Sequence, residues 1–389
     1  MDADLAEAMA LMAVPGPTGR EGAVCEAVRE RLLAMGVAES QMRTDRAHEQ
    51  SEQGGEIGNL VVRLDGHGRG ERRLLSTHLD TVREAVGSRP RLDGDRVVNE
   101  ASDRALGADA RAGCACLLSA ARALMETGGD HAPRTLVFFV QEEIGLVGSR
   151  GLDTGLLGEP FPAMAFNFDG KAPREVVRAV VGVERMSIRV RGVPAHASRP
   201  REGLSAGMIA ARALARLEEN GWTGAVEKPA GTGTANIGIL QGGTGSNVVM
   251  ASLEGLMEAR SFDRSFRAAI GEAWKQAFLD ATDEANRCGG LAQRASVAFE
   301  PGPAYEPYRL ADDAPVVQAA VRALKACGLD PVLTDHWGGM DSGNIVAKGI
   351  PAVGLGIGGH HAHSVDEYLD TCEFAQACAV ARQLALDGG

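Results

Sequence analysis

The feature that most constrains this chain is the alternation of short apolar runs with helical patterns along its first half. Runs at 73–77, 135–140 and 164–168, with a helical stretch at 110–126 between the first two, have the rhythm of strands that cross over to pair in parallel. Within 110–126, Arg111, Arg122 and Glu126 fall on one stripe, because offsets of 11 and 4 share a helical face, and the remainder is small and apolar. This predicts a buried helix. From about Val183 the texture changes to strand (186–190), helix (205–219), and strands at 236–240 and 253–260, closing near 296–299. That order suits a small α+β, ferredoxin-like domain. The alternation then resumes with a helix at 315–328 opened by Pro315, strands at 332–334 and 351–357, and a last helix at 372–386. The expected architecture is an α/β domain with a mostly parallel sheet, contributed by residues 1–182 and 306–389 and interrupted by an inserted domain over 183–305.

Composition narrows the function. Fifty glycines in 389 residues, nearly twice the usual share, predict many tight turns after strands. Forty Lys and Arg against 52 Asp and Glu give a net charge of −12, which opposes a phosphate-tracking surface and argues against nucleic acid as partner. No apolar run reaches the roughly 18 residues of a membrane span. Asp2, Asp4 and Glu7 stand where a signal peptide would carry positive charge, so the expected location is the cytoplasm. Seven cysteines without CxxC spacing are read as reduced core thiols.

Several residues can carry chemistry, and each has a plainer reading. His78 ends an apolar run with Asp80 two residues on, on the same face, where its carboxylate can orient the imidazole. A lone histidine there is more often structural. Asp109 precedes the buried helix and can simply cap it. Glu142 and Glu143 follow the run at 135–140 and can be an acidic pair at a helix N-terminus. Asp169 with Gly170 can be an Asp-Gly turn. His363 follows a glycine-rich strand, just before Ser364 and Glu367, which have the spacing of a capping box. What decides is the set, since His78, Asp109, Glu143, Asp169 and His363 all fall at the carboxyl ends of strands or just beyond, where a parallel sheet gathers ligands. Two histidines and three carboxylates, without cysteine, suit two catalytic divalent ions, zinc first and manganese or cobalt as alternatives.

These motifs resemble the peptidase T branch of the dinuclear zinc exopeptidases, whose superfamily also contains carboxypeptidases, aminoacylases and other amidohydrolases. The resemblance rests on Ser76-Thr77-His78-Leu79-Asp80-Thr81-Val82, the Gly107–Gly113 loop, Gln141-Glu142-Glu143, Asn167-Phe168-Asp169-Gly170 and His363-Ser364-Val365-Asp366-Glu367-Tyr368. It implies that His78 and Asp169 hold one metal, Glu143 and His363 the other, and that Asp109 bridges them. It makes Asp80 the partner of His78 and Glu142 the general base. In the inserted domain, Gly192-Val193-Pro194-Ala195-His196-Ala197 resembles the lid motif whose histidine reaches the partner subunit's site, implying a homodimer through the lid. Asn247 and Arg260 match positions that hold the substrate carboxylate, and Asp341 in Gly338-Gly339-Met340-Asp341 a loop beside the substrate. Ala110 and Ser198 depart from the branch, which usually has an acid and a glycine there.

The reading is metal-dependent hydrolysis of a C–N bond in a small carboxylated substrate, with release of the N-terminal residue from di- or tripeptides first. The alternatives are an amidohydrolase or aminohydrolase acting on a non-peptide such as an N-acyl or aromatic amino acid, a site running on a single metal, and a non-catalytic metal-dependent clamp. Glu142 argues against the clamp, because a binder has no need of a base beside the metals.

Overall fold

The computed structural model describes residues 2–388. Its contacts divide into two units, one formed by the chain up to Val180 and from Arg309 onward, the other by Val181–Tyr308.

In the first unit the expected apolar runs become strands Arg73–His78, Arg134–Phe139, Met164–Gly170 and Ala352–Gly356. Arg134–Phe139, Arg73–His78, Met164–Gly170 and Ala352–Gly356 lie side by side in that order, all parallel. Antiparallel strands extend the sheet at both margins, Leu60–Leu64 and Met42–Thr44 on one side and Glu175–Val180 on the other. The parallel run is apolar without alternation because both of its faces are covered. Leu75, Leu136, Phe138, Phe166, Phe168, Val353 and Leu355 enter one core beneath helices Ala3–Met12, Gly22–Ala34, Ala108–Glu126, Pro315–Ala326 and Thr371–Leu386. Their neighbours Leu74, Val137, Phe139, Ala165 and Ala352 enter a smaller core with Ile345 and Ile350. Period-two geometry therefore splits each strand between two hydrophobic layers.

Helix Ala108–Glu126 runs against the sheet as its small residues predict. Arg111 departs from the expected solvent stripe: it is fully buried, with Nη2 donating to the Gly16 carbonyl at 3.1 Å, while Glu126 is exposed. At the far end of the helix, buried Asp4 accepts hydrogen bonds from Ser119 at 2.8 Å, Arg122 at 2.8 Å and Arg382 at 2.6 Å, tying three helices together. Of the cysteines, Cys25, Cys114, Cys116 and Cys378 are buried, but Cys288 and Cys372 are exposed, so the reading of all seven as core thiols is corrected. Among the described residues no helix is long and apolar enough to cross a membrane.

The second unit is an antiparallel sheet ordered Gly224–Lys228, Gly231–Gly242, Ser252–Ser261, Gly182–Arg191, Ser296–Pro301, packed on helices Ala206–Glu219 and Arg264–Gly289. Ser205 and Asp263 cap the two helices through their side chains. The edge strand Gly224–Lys228 is additional to the expected order; it is short, mostly exposed and joined by a tight hairpin, so it lacks the buried alternation that reveals a strand in sequence.

The closeness of helix and sheet rests on Gly113, where a Cβ would collide with the Thr77 hydroxyl and the Phe168 carbonyl. Gly113→Ala is expected to destabilise the protein by about 1–3 kcal/mol through overpacking. A denaturant midpoint equal to the parent's would show that the helix can retreat without cost.

Candidate metal centre

Because the four central strands are parallel and adjacent, their carboxyl ends open on one edge, and the motif residues arrive there together. His78 is the last residue of its strand, Asp169 the penultimate residue of its own, and Glu142 and Glu143 follow Phe139 after a short turn. Asp109 comes from the start of helix Ala108–Glu126 and His363 from the loop after Gly359–His360. Ligand atoms of His78, Asp109 and Asp169 lie within 4.8 Å of one another, as do those of Asp109, Glu143 and His363, and those of His78, Glu142 and Glu143.

Asp109 faces both histidines. Its Oδ1 is 3.1 Å from His78 Nε2 and its Oδ2 is 3.4 Å from His363 Nε2. Asp169 Oδ1 lies 3.3 Å from His78 Nε2, and Glu143 Oε2 lies 2.9 Å from His363 Nε2. The plainer readings of Asp109, Glu142 and Glu143 do not hold in the structure. The helix carrying Asp109 has no side-chain cap, and Asp109 and Ala110 sit off helical dihedrals. Glu142 and Glu143 stand in a turn, and the next helix begins only at Val147.

His78 Nδ1 donates to the Asp80 backbone carbonyl at 3.0 Å, while the Asp80 carboxylate is 3.5 Å away. The main orienting acceptor is therefore the carbonyl rather than the expected carboxylate. A proton held on Nδ1 leaves the Nε2 lone pair facing the centre. The Asp80 carboxylate, fully buried, accepts instead from the Glu142 N–H at 2.9 Å, the Glu143 N–H at 3.2 Å and the Thr18 hydroxyl at 2.8 Å. It fixes the backbone of both glutamates. The preceding Gln141 adopts a left-handed φ of 53° and its N–H donates to buried Glu21 at 3.1 Å. His363 is also left-handed, with φ 66°, a conformation that a non-glycine residue adopts at some cost.

Negative charge is crowded here. Burial pushes the Asp169 carboxyl up to about 6, with Asp109 and Glu143 adding to the effect and His78 opposing it. Burial likewise raises Glu142 well above the carboxylate range; His78 opposes this, and Asp169, Asp341 and Glu143 reinforce it. Burial by itself would lower the His78 imidazole, but the charge of Asp169 and hydrogen bonds to Asp109, Asp169 and Asp80 raise it well above its ordinary value. Hydrogen bonds to Asp109 and Glu143 carry His363 up to about 10. Oxygen and imidazole donors around an excess of buried negative charge fit divalent cations of borderline hardness, which would relieve the repulsion.

Asp341 is wholly buried at the start of helix Asp341–Ala347, and burial pushes its carboxyl up to about 7. Its carboxylate lies in the interior near the centre, where His78 opposes the rise and Asp169 and Asp80 add to it. The capping box at Ser364 and Glu367 is corrected. No helix starts there: the Ser364 hydroxyl donates to the His361 carbonyl at 2.7 Å, and Glu367 reaches back to the Asp109 segment. Thr18 and Glu21, and the true partners of Glu367, are not visible in the sequence, since each of these contacts crosses at least 62 positions and no local spacing reports that.

The second unit holds His196, Asn247 and Arg260. His196 and Asn247 are exposed and close together: His196 bridges Val248, and the Ala197 N–H donates to the Asn247 carbonyl at 2.9 Å. The Ser198 N–H donates to His196 Nδ1 at 3.2 Å, with the Ser198 hydroxyl 2.7 Å from the same atom, so the ring proton falls on Nε2. Arg260 Nε donates to Glu258 at 2.7 Å.

Fold and site together define a metal-dependent hydrolase. The pattern of peptidase family M20/M25/M40 matches residues 74–387, and the chain belongs to that family. Its structure is similar to aminopeptidase PepT from Bacillus cereus ATCC 10987, with a TM-score of 0.86 and 28% identity over 98% of this chain and 96% of that one. A tripeptidase from Staphylococcus aureus subsp. aureus Mu50 superposes with a TM-score of 0.87 at 26% identity, again over 98% and 96% of the chains. The uncharacterized protein YqjE of Bacillus subtilis strain 168 is 29% identical over 364 residues, 93% of this chain and 92% of that protein.

Asp80→Asn places an amide N–H₂ against a backbone N–H or the Thr18 hydroxyl. Metal affinity is expected to fall about 10–100-fold, as for other groups that hold ligands in place. Equilibrium dialysis with elemental analysis checks this, and unchanged affinity would show that the Asp80 carboxylate does not set the ligand geometry.

Proposed function

We propose that this protein is an aminopeptidase of the tripeptidase type, releasing the N-terminal residue from short peptides, with two divalent ions held by His78 and Asp169, by Glu143 and His363, and by Asp109 between them. The observation that carries this is the Asp109 carboxylate, whose two oxygens each face a different histidine, with half-buried Glu142 close to His78. Support for the peptide substrate comes from the likeness to PepT and the tripeptidase. Zinc is the first choice, because the donors are nitrogen and oxygen and thiolate is absent from the set.

When bound, such ions lower the pKa of water toward 7 and polarise a carbonyl. Glu142 takes the proton from the attacking water on its carboxylate and delivers it to the leaving nitrogen. Its partial burial supports this role, because loss of hydration raises the proton affinity of its carboxylate. Asp80 keeps Glu142 and Glu143 in register through their N–H groups. His196, with its proton on Nε2, is a hydrogen-bond donor for the oxygen that gains negative charge, and it acts in the partner subunit's site within a homodimer formed through the second domain. Asn247 and Arg260 hold the substrate carboxylate, for which Arg260 exchanges its hold on Glu258. The protein works in the cytoplasm on short peptides delivered there.

Glu142→Ala is expected to lower kcat about 10²–10⁴-fold with both metals still bound. Mass spectrometry of products from pooled tripeptides, N-acyl amino acids and aminobenzoates, with this variant as control, tests the substrate. Ammonia or an acyl fragment with peptides untouched would move the assignment to an aminohydrolase or amidohydrolase.

Mixing inactive His196→Ala with inactive Glu142→Ala tests the action of His196 in trans. Mixed dimers then contain one complete site, and activity is expected to return to on the order of a quarter of the parent's. No recovery after demonstrated subunit exchange would place His196 in its own subunit's site.

A further inference from the structure

Glu367 lies four residues beyond His363 and is 3% exposed. Its carboxylate spans the start of the Asp109 segment: Oε2 accepts from the Gly107 N–H at 2.7 Å and Oε1 from the Asp109 N–H at 3.1 Å. These donors are at the N-terminus of a helix whose first residues have irregular dihedrals, with Gly107 at φ 78°, Asp109 at φ −81°, ψ 109° and Ala110 at φ −113°, ψ 44°. Helical hydrogen bonding does not hold such a backbone, and the first-turn N–H groups need an acceptor from elsewhere. In an ordinary helix the aspartate at this point would supply it. Here a carboxylate from the far end of the chain does so, which leaves both Asp109 oxygens turned toward His78 and His363.

We propose that Glu367 is a positioning residue that locks the Asp109 segment to the His363 loop and thereby sets the affinity for the second ion, the one shared by Asp109, Glu143 and His363. This rests on the assignment of Asp109 as the shared ligand. The asymmetry between the ions follows from how their ligands are anchored. His78 and Asp169 stand on strands that pair directly with each other, so the first ion keeps two ligands on the sheet if Asp109 shifts. His363 stands on an exposed loop in a left-handed conformation, and Glu367 is the buried side chain that ties that loop to Asp109. Loss of this tie lets Asp109 and His363 drift apart. Glutamine can accept at only one end, because its N–H₂ would meet a backbone N–H.

The test is titration of the metal-stripped, full-length protein with cobalt(II), followed by calorimetry and by the visible absorption of the bound ion, with circular dichroism to verify folding. In Glu367→Gln the second cobalt is expected to bind about 10–100-fold more weakly, while the first stays within about threefold of the parent. Glu367→Asp, which keeps two acceptor oxygens on a shorter arm, recovers part of the loss, and it carries the test alone if Glu367→Gln does not fold, through a selectively weakened second ion. Glu373→Gln serves as control: Glu373 pairs with His360 at 2.7 Å near the same loop, and its replacement is expected to leave both affinities unchanged. Equal weakening of both ions, selective weakening of the first, or parental affinity for both would overturn the proposal. Asp109→Ala separates this from the broader assignment. If that variant still binds two cobalt ions as the parent does, the shared-ligand reading fails; if it loses the second ion while Glu367→Gln keeps it, only the role of Glu367 fails.

Discussion

Everything in the catalytic unit answers to one electrostatic demand, the gathering of Asp80, Asp109, Glu142, Glu143 and Asp169 around two imidazoles with little water to screen them. Carboxylates left unpaired in such a setting repel one another and shed their charge. The protein keeps four of them there by giving each a definite partner. Asp80 is tied to two backbone N–H groups and a hydroxyl, Asp109 stands between two histidines, and Glu143 and Asp169 each face one. The residual strain shows in the raised carboxyls of Glu142 and Asp169 and in the left-handed backbones of Gln141 and His363. That unrelieved negative charge is what fits the centre to cations.

The parallel sheet supplies the rigidity. Because successive residues of each strand enter different cores, a slip by one position would exchange every side chain between two cores of different size and shape and lose the packing of both. Their carboxyl ends are therefore fixed in space, and His78 and Asp169 with them. Gly113 lets the helix behind Asp109 lie directly on Thr77 and Phe168, so the Asp109 carboxylate is anchored to the same strands. The parts that come from loops, Glu142, Glu143 and His363, need additional ties, and Asp80 and Glu367 provide them from the strand end and from the loop itself.

Much of this was legible in the sequence. The apolar runs at 73–77, 135–140 and 164–168 marked strands to within two residues at each end, because burial on both faces leaves a continuous apolar signature. The clustering of His78, Glu143 and Asp169 was legible for a related reason: an acid or histidine at the end of such a run has nowhere to go but the sheet edge. Arg111 shares a stripe with Arg122 and Glu126 yet is buried while Glu126 is exposed, because periodicity tells which face a residue occupies but not what waits on that face. Glu367 was misread because its spacing to Ser364 matches a local motif, whereas its partners lie about 260 positions away.

The sequence by itself determined the layering of the catalytic unit, the set of histidines and carboxylates that meet at its sheet edge and the existence of a second unit of strands and helices, since these follow from local period, composition and residue type. Only the tertiary structure decided which hydrogen bonds discipline the centre: the Asp80 carbonyl rather than its carboxylate on His78, the carboxylate on the two glutamate N–H groups, and Glu367 on the Asp109 segment. Those choices depend on distances between segments remote in the chain. Buried donors and acceptors find whichever partner the packed strands and helices bring within about 3 Å.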